Sequence, residues 1–264
     1  MTSMSRTPKA IIVAAGRGRR LADSTAEIPK CMVRVNGQPI LHWQLRAFAA
    51  AGIDDIVIVR GYRGDCIDTG GTPARFVDNP EWQSNNILTS LMYAIDELAG
   101  GFFFSYCDIV YPPSVVAKLA ESSDGPAAAL IVDRRWADAY QGRTFHPVAE
   151  AELTAVADGR VLRVGKGAVT TEEAVGEFIG LAHFSSTGAA ALSSVWQQAL
   201  ASGGLDAPFG RAKMLRQAYL TDALNAMAEG GLHLAPVFID GEWREIDTQQ
   251  DLHAAELNAH LWSG

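Results

Sequence analysis

The chain has 264 residues, a length that suits one large α/β domain or two small ones and is ample for a sizeable core. Its 22 Lys and Arg against 30 Asp and Glu leave a net charge of -8 and a pI near 5.2, which argues against a protein held on nucleic acid by a broad basic surface. Hydrophobic residues at 48%, charged residues at 20% and a mean hydropathy of +0.05 exclude a disordered chain.

Met1 to Lys9 is polar and lacks the apolar core of a signal peptide, and no later apolar run approaches the ~20 residues needed to span a bilayer, so a cytoplasmic protein without a membrane partner is expected. Lys9 to Ala15 is a short Ile/Val-rich run closed by Gly16, which reads as a fully buried strand. Ile40 to Ala51 reads as a helix closed by Gly52. Ile53 to Val59, Ala74 to Val77 and Phe102 to Tyr106 read as further strands. Ile87, Leu88, Leu91, Met92, Ile95 and Leu98 recur at helical spacing and put one apolar stripe on a helix from Asn86 to Leu98. Pro112, Pro113 and Ser114 open another helix, and Ala127 to Val132 returns as strand. From Asp133 to Thr171 the chain is more polar, with extended candidates only at Val148 to Val156 and Val161 to Val164. Phe178 to Phe184 resumes a buried strand, Thr187 to Ala201 and Arg211 to Ala228 read as helices, and Trp243 to Ile246 is a late strand before a helix from Gln249 to Leu261.

This order describes a single α/β domain over residues 1–264: an open, mostly parallel sheet with helices on both faces, and a small β-rich excursion at 133–177 forming one wall of a cleft. Such sheets bind ligands outside the carboxyl ends of their strands. Cys31, Cys66 and Cys107 are odd in number and far apart, so they suggest reduced thiols and neither a disulfide framework nor a zinc site.

After the first strand, Ala14-Ala15-Gly16-Arg17-Gly18-Arg19-Arg20-Leu21 offers small residues whose backbone N–H groups can approach an anion, with arginines beside them. The spacing is neither GxGxxG nor GxxxxGK[ST], which sets aside the dinucleotide fold and the P-loop. A tight turn with solvated arginines is the alternative for this loop alone. Pro29-Lys30 and Gly37-Gln38-Pro39-Ile40-Leu41 follow, and AAGxGxRL with PKxxxxxxGxPxL resembles the nucleotidyltransferase superfamily, of Rossmann-like or GT-A-like fold, that activates phosphorylated metabolites with NTPs. The resemblance implies that Ala14, Ala15, Gly16 and Gly18 wrap base and triphosphate. It also implies that Lys30, helped by Arg17, binds phosphate oxygens and offsets charge developing at the α-phosphorus.

Asp108 stands where an apolar strand ends, and a carboxylate there faces the cleft and can hold Mg²⁺. Trp243-Arg244-Glu245-Ile246-Asp247-Thr248 is similar to a segment of that superfamily, and the resemblance implies that Asp247 completes the metal site. Asp108 can instead cap the helix that follows it, and Asp247 or Thr248 can be the N-cap of the last helix. Asn79-Pro80-Glu81-Trp82-Gln83-Ser84-Asn85-Asn86, followed by Ser90-Leu91, is similar to bacterial CTP:phosphocholine cytidylyltransferases and their relatives acting on 2-aminoethylphosphonate. Ser84, Asn85, Asn86 and Ser90 are then candidates to read cytosine, although one asparagine is expected to open the helix.

On the acceptor side, Arg143 and Lys166 are candidates to clamp a phosphate or phosphonate, Trp82 to contact the head group, and Glu177 to meet an ammonium group or the metal. His146, beside Pro147, reads as structural. The expected activity is CMP transfer from CTP to a small phosphate or phosphonate acceptor, with Mg²⁺ as cofactor and no nucleic-acid partner. A sugar- or cyclitol-phosphate nucleotidyltransferase and an inactive nucleotide-binding regulator are the alternatives, and a homodimer is left open.

Overall fold

A computed structural model of the chain describes residues 8–258, 260 and 262; Met1 to Thr7, which hold most of the polar N-terminal stretch, and Leu261 lie outside the described residues. The elements run β1 (Lys9–Ala14), β2 (Arg34–Val35), β3 (Gln38–Pro39), α1 (Ile40–Ala50), β4 (Asp55–Arg60), β5 (Arg75–Asp78) and α2 (Ile87–Met92). They continue through β6 (Phe102–Tyr106), β7 (Ile109–Val110), α3 (Pro113–Glu121), β8 (Ala128–Asp133), α4 (Trp136–Tyr140), β9 (Leu153–Ala157), β10 (Arg160–Val164) and β11 (Gly176–Phe184). The chain ends with α5 (Ser186–Gly203), α6 (Leu220–Glu229), β12 (Leu234–Ile239), β13 (Arg244–Glu245) and α7 (Gln249–Leu257).

β1 lies between β4 and β6, parallel to both, and β5 extends β4 in parallel. β11 runs antiparallel between β6 and β8, and β12 closes that edge parallel to β8, so one reversed strand interrupts an otherwise parallel core. Every residue of β1 is buried, as expected of a strand covered on both faces. Its Ile11 and Val13 join a core built with α2, α5 and α6, whereas Ala10, Ile12 and Ala14 join one built with α1 and α3. The period-two alternation of one apolar run thus feeds two cores.

The expected helix from Asn86 to Leu98 forms as α2 followed by a 3-10 turn at Ile95–Glu97, with Leu88, Leu91, Met92 and Leu98 still buried against the sheet. The helix expected from Arg211 begins only at Leu220. Asp222 accepts from the amides of Tyr219 and Arg211, both at 2.9 Å, and this caps α6 while folding 211–219 back as a loop. In the excursion, Val148–Glu150 is a 3-10 turn and not strand, and α4 is an added short helix. The β9–β10 hairpin joins the main sheet through Glu177 opposite Leu153, so the excursion prolongs β11 instead of standing apart.

Gly180 bends β11 where its register with β8 shifts, at φ +85°, and a Cβ there would fall 2.1 Å from Tyr106 Cδ2. Gly180→Ala is therefore expected to lower stability by about 2–4 kcal/mol through backbone strain and overpacking. Thermal denaturation checks this; an unchanged midpoint would mean that the Tyr106 ring yields at no cost.

Candidate active site

A cleft of about 350 Å³ opens at the carboxyl ends of β1 and β6, where sheet topology directs a ligand. Its mouth is the loop after β1. Gly16 has open space where a side chain would stand, whereas Gly18, at φ +68°, lies so close to Lys30 that a Cβ would approach Lys30 Cγ to 2.9 Å. Glycine at position 18 therefore lets the Lys30 stem pass beneath the loop. Leu21 N–H donates to Gly18 O at 3.0 Å and Thr25 Oγ1 donates to it at 3.0 Å, which closes the turn.

Lys30 comes from a 3-10 turn introduced by Pro29 and is only 6% exposed. Its ammonium donates to Asp108 Oδ2 at 2.6 Å and to Asp247 Oδ1, so residues far apart in the chain meet at one nitrogen. Burial alone would lower the lysine pKa, but Asp108, Asp247 and Glu245 outweigh it and hold the ammonium charged. Burial likewise opposes ionisation of Asp247, yet Lys30, the His146 ring and Arg20 keep its carboxyl far below the usual range. Arg20 reaches Asp247 Oδ2 at 2.5 Å.

Neither aspartate is spent on helix capping. Pro112 precedes α3, and Thr248 caps α7 by accepting from the Asp251 amide while Asp251 accepts from the Thr248 amide. Short pairing of β7 with β13 brings the two carboxylates together: Ile109 lies opposite Glu245, and Ile246 N–H donates to Asp108 O at 2.8 Å. Asp108 Oδ1 is buried and has no hydrogen-bond partner among the described residues. An orphaned carboxylate oxygen beside Asp247 and Glu245 is a hard oxygen donor set that fits Mg²⁺.

Glu245 and His146 belong to this site although the sequence reading gave neither a role there. His146 Nδ1 is 3.1 Å from Asp247 Oδ2, and ligand atoms of His146, Glu245 and Asp247 lie within 4.8 Å of one another. For Glu245 a signal existed, since positions 245 and 247 are two apart, as are residues sharing one face of an extended segment. For His146 no local signal existed; the excursion folds it inward, to 1% exposure.

The base-loop residues form one network. Asn79 Nδ2 donates to Asn85 Oδ1 and Ser90 Oγ, both at 2.9 Å, and Asn85 Nδ2 returns a bond to Asn79 Oδ1 at 3.1 Å. Asn86 is the N-cap of α2, as expected of one asparagine. Asn85, Asn86, Ser90 and Trp82 line the cleft, whereas Ser84 lines only an adjoining cavity of about 570 Å³ that also holds Arg211 and Lys213. Ala15, Gly16 and Gly18 line the cleft, and Ala14 sits in the core behind them.

Besides Ser84 and Ala14, two further expected site residues are not brought to the cleft. Arg17 lies over the Tyr62 ring, 5.3 Å from its centroid, and Arg19 and Arg20 line the cleft in its place. Arg143 is held behind the cleft by Asp251 at 2.6 Å and Glu245 at 3.0 Å, so these carboxylates already occupy the fork expected to clamp an acceptor. Lys166 does line the cleft, with Nζ on Glu150 at 2.9 Å and over the Tyr219 ring at 4.9 Å.

Glu177 lies on the cleft floor with Glu152 beside it. Tyr140 Oη donates to Glu177 Oε1 at 2.7 Å, and Tyr106 Oη donates to Glu152 Oε2 at 3.1 Å. Burial pushes the Glu177 carboxyl up to about 8 and that of Glu152 up to about 7. No helix among the described residues is long and apolar enough to cross a membrane.

A CTP:phosphoglutamine cytidylyltransferase of Campylobacter jejuni is 30% identical over 252 residues, covering 92% of this chain and 97% of that protein. A 2-aminoethylphosphonate cytidylyltransferase of Lancefieldella rimae is 28% identical over 257 residues, covering 96% and 93%. Among solved structures, a CTP:phosphocholine cytidylyltransferase of Streptococcus pneumoniae superposes with a TM-score of 0.72 over 96% of this chain and 99% of that one, at 22% identity, a likeness of fold. The resemblance read from the motifs is thereby upheld: residues 10–173 match the MobA-like NTP transferase domain, and the chain belongs to that family of nucleotidyltransferases.

Proposed function

We propose that the protein transfers CMP from CTP to a small acceptor bearing a phosphate or phosphonate, releasing pyrophosphate. The observation that carries this reading is the convergence of Lys30, Asp108 and Asp247 at the mouth of the glycine-containing loop. The lean to CTP rests on the relatives named above and on the Asn79, Asn85 and Ser90 network, whose amide and hydroxyl groups suit the amino and carbonyl groups of cytosine.

An acceptor phosphate or phosphonate oxygen is already ionised at neutral pH, so its attack on the α-phosphorus needs no general base. As the new P–O bond forms, the bond to the bridging oxygen breaks and pyrophosphate leaves in line. Lys30 and Arg20 face the charge that develops on the α-phosphate oxygens, and the loop amides of Gly16 and Gly18 hold the triphosphate. Asp108 and Asp247 would hold Mg²⁺, which when bound supplies Lewis-acid charge to the phosphate oxygens.

The test is pyrophosphate release with Mg²⁺, crossing CTP, UTP, GTP and ATP against amino-alcohol phosphates, phosphonates and sugar phosphates. Turnover is expected with CTP and a small phosphate or phosphonate, and is expected to cease on chelation of divalent metal. Turnover confined to sugar or cyclitol phosphates would replace the acceptor class. Silence with every pair in protein that still binds CTP would overturn the enzymatic reading.

A further inference from the structure

Arg143 belongs to the acceptor-side excursion, yet its bonds end on the segment that carries Asp247. It does not line the cleft but a cavity of about 160 Å³ behind it, and Glu177 and Glu245 face both spaces. Those carboxylates stand between the guanidinium and a ligand in the cleft. The Arg143 side chain is 8% exposed; Nε donates to Asp251 Oδ1 at 2.6 Å and Nη2 to Glu245 Oε2 at 3.0 Å.

Asp251 passes this grip on to Asp247. Its other oxygen, Oδ2, accepts from the Asp247 amide at 3.1 Å, from the Thr248 amide at 2.8 Å and from Thr248 Oγ1 at 2.9 Å. The capping box of α7 uses that oxygen and Thr248, so the helix start does not need the bond from Arg143 to Oδ1. What Arg143 adds is a counter-charge and a fixed rotamer for a buried carboxylate, and hence a fixed direction for the Asp247 backbone. Its second arm holds Glu245, two residues before Asp247. Neighbouring contacts extend the docking: Gln250 donates to Gly142 O at 2.7 Å and accepts from the Thr144 amide at 2.9 Å.

We propose that Arg143 is a positioning residue for the metal site: its fork fixes Glu245 directly and the Asp247 backbone through Asp251, tying the excursion to the segment that would hold Mg²⁺. This rests on the reading of Asp247 as a metal ligand and deepens it. A lysine supplies a single point of charge and cannot span two carboxylates as a planar guanidinium does, so arginine is required here.

The test uses wild-type protein, Arg143→Met, Arg143→Lys and, as a reference, Asp247→Asn. Mn²⁺ replaces Mg²⁺, and water-proton relaxation reads binding of the Mn²⁺ complex of an α,β-methylene analogue of CTP; affinity for the metal-free analogue is measured separately. In Arg143→Met, affinity for the metal complex is expected to fall by about ten- to a hundredfold, the range for loss of a partner that orients a metal ligand, with metal-free affinity nearly unchanged. Arg143→Lys is expected to lose about threefold or more by the same measure. Wild-type metal affinity in either folded variant overturns the proposal. So does equal weakening of the metal-bound and metal-free forms, which is general loosening, or a raised KM for 2-aminoethylphosphonate with metal affinity intact, which is an acceptor clamp. Should circular dichroism show Arg143→Met unfolded, Arg143→Lys decides alone.

The proposal and the reaction fail differently. Reduced metal affinity in both Arg143 variants, with wild-type protein turning over no acceptor, keeps the positioning role and removes cytidylyl transfer. Turnover by wild type with metal affinity intact in both variants keeps the transfer and removes the positioning role. Wild-type metal affinity in Asp247→Asn removes Asp247 from the metal site and the proposal with it.

Discussion

Replacing Lys30 by methionine is expected to lower kcat by about a thousandfold, the order seen when one donor to transition-state charge is removed from a preorganised site. Methionine keeps the volume of the stem that runs beneath Gly18, so the loop after β1 should hold its shape. What disappears is the one ammonium that bridges Asp108 and Asp247. Initial rates of pyrophosphate release, with circular dichroism to establish that the fold persists, check the expectation. A folded Lys30→Met protein turning over near the wild-type rate would sink the proposed chemistry.

Asp247→Asn is expected to cost about as much in turnover, and also to raise the Mg²⁺ concentration needed for half-maximal rate. The two aspartates should then separate by stability. Asp247 is 7% exposed at its side chain and receives the buried Lys30 as well as the exposed Arg20, so its neutralisation removes the more buried of the two anions that hold Lys30, at about 1.5–3 kcal/mol. Asp108 is 23% exposed at its side chain, and Asp247 still holds Lys30 when Asp108 is changed, so Asp108→Asn should lower the denaturation midpoint much less. Equal loss of stability in the two variants would contradict the unequal burial on which the distinction rests, and a normal Mg²⁺ dependence in both would remove them from the metal site.

The late strand β12 shows where pattern reading stops. Leu234-Ala235-Pro236-Val237-Phe238-Ile239 contains a proline, which speaks against a strand because it cannot donate to a ladder. In the structure this strand pairs only with β8 and lies at the sheet edge, the position where a proline is tolerated. Edge or centre is a property of the assembled sheet, so the hexapeptide by itself does not reveal it. Arg143 shows the same limit for a side chain. An arginine in a polar excursion next to a cleft suits a phosphate clamp, but α7 and β13 bring Asp251 and Glu245 to it first.

By itself the sequence determined what is local or periodic. The buried β1, the glycines of the loop after it, Pro29-Lys30, and a carboxylate at the end of β6 are set by short-range sterics and by the two-residue and 3.6-residue periods, and these suffice to recognise a nucleotidyltransferase. Only the tertiary structure decided which charges meet. Lys30 reaches Asp108 across 78 residues of chain and Asp247 across 217, Arg20 displaces Arg17 from the cleft, and His146 and Glu245 close on Asp247. Those contacts depend on sheet order and on which counter-ion arrives first in a low-dielectric interior, and neither is written within any one segment of the chain.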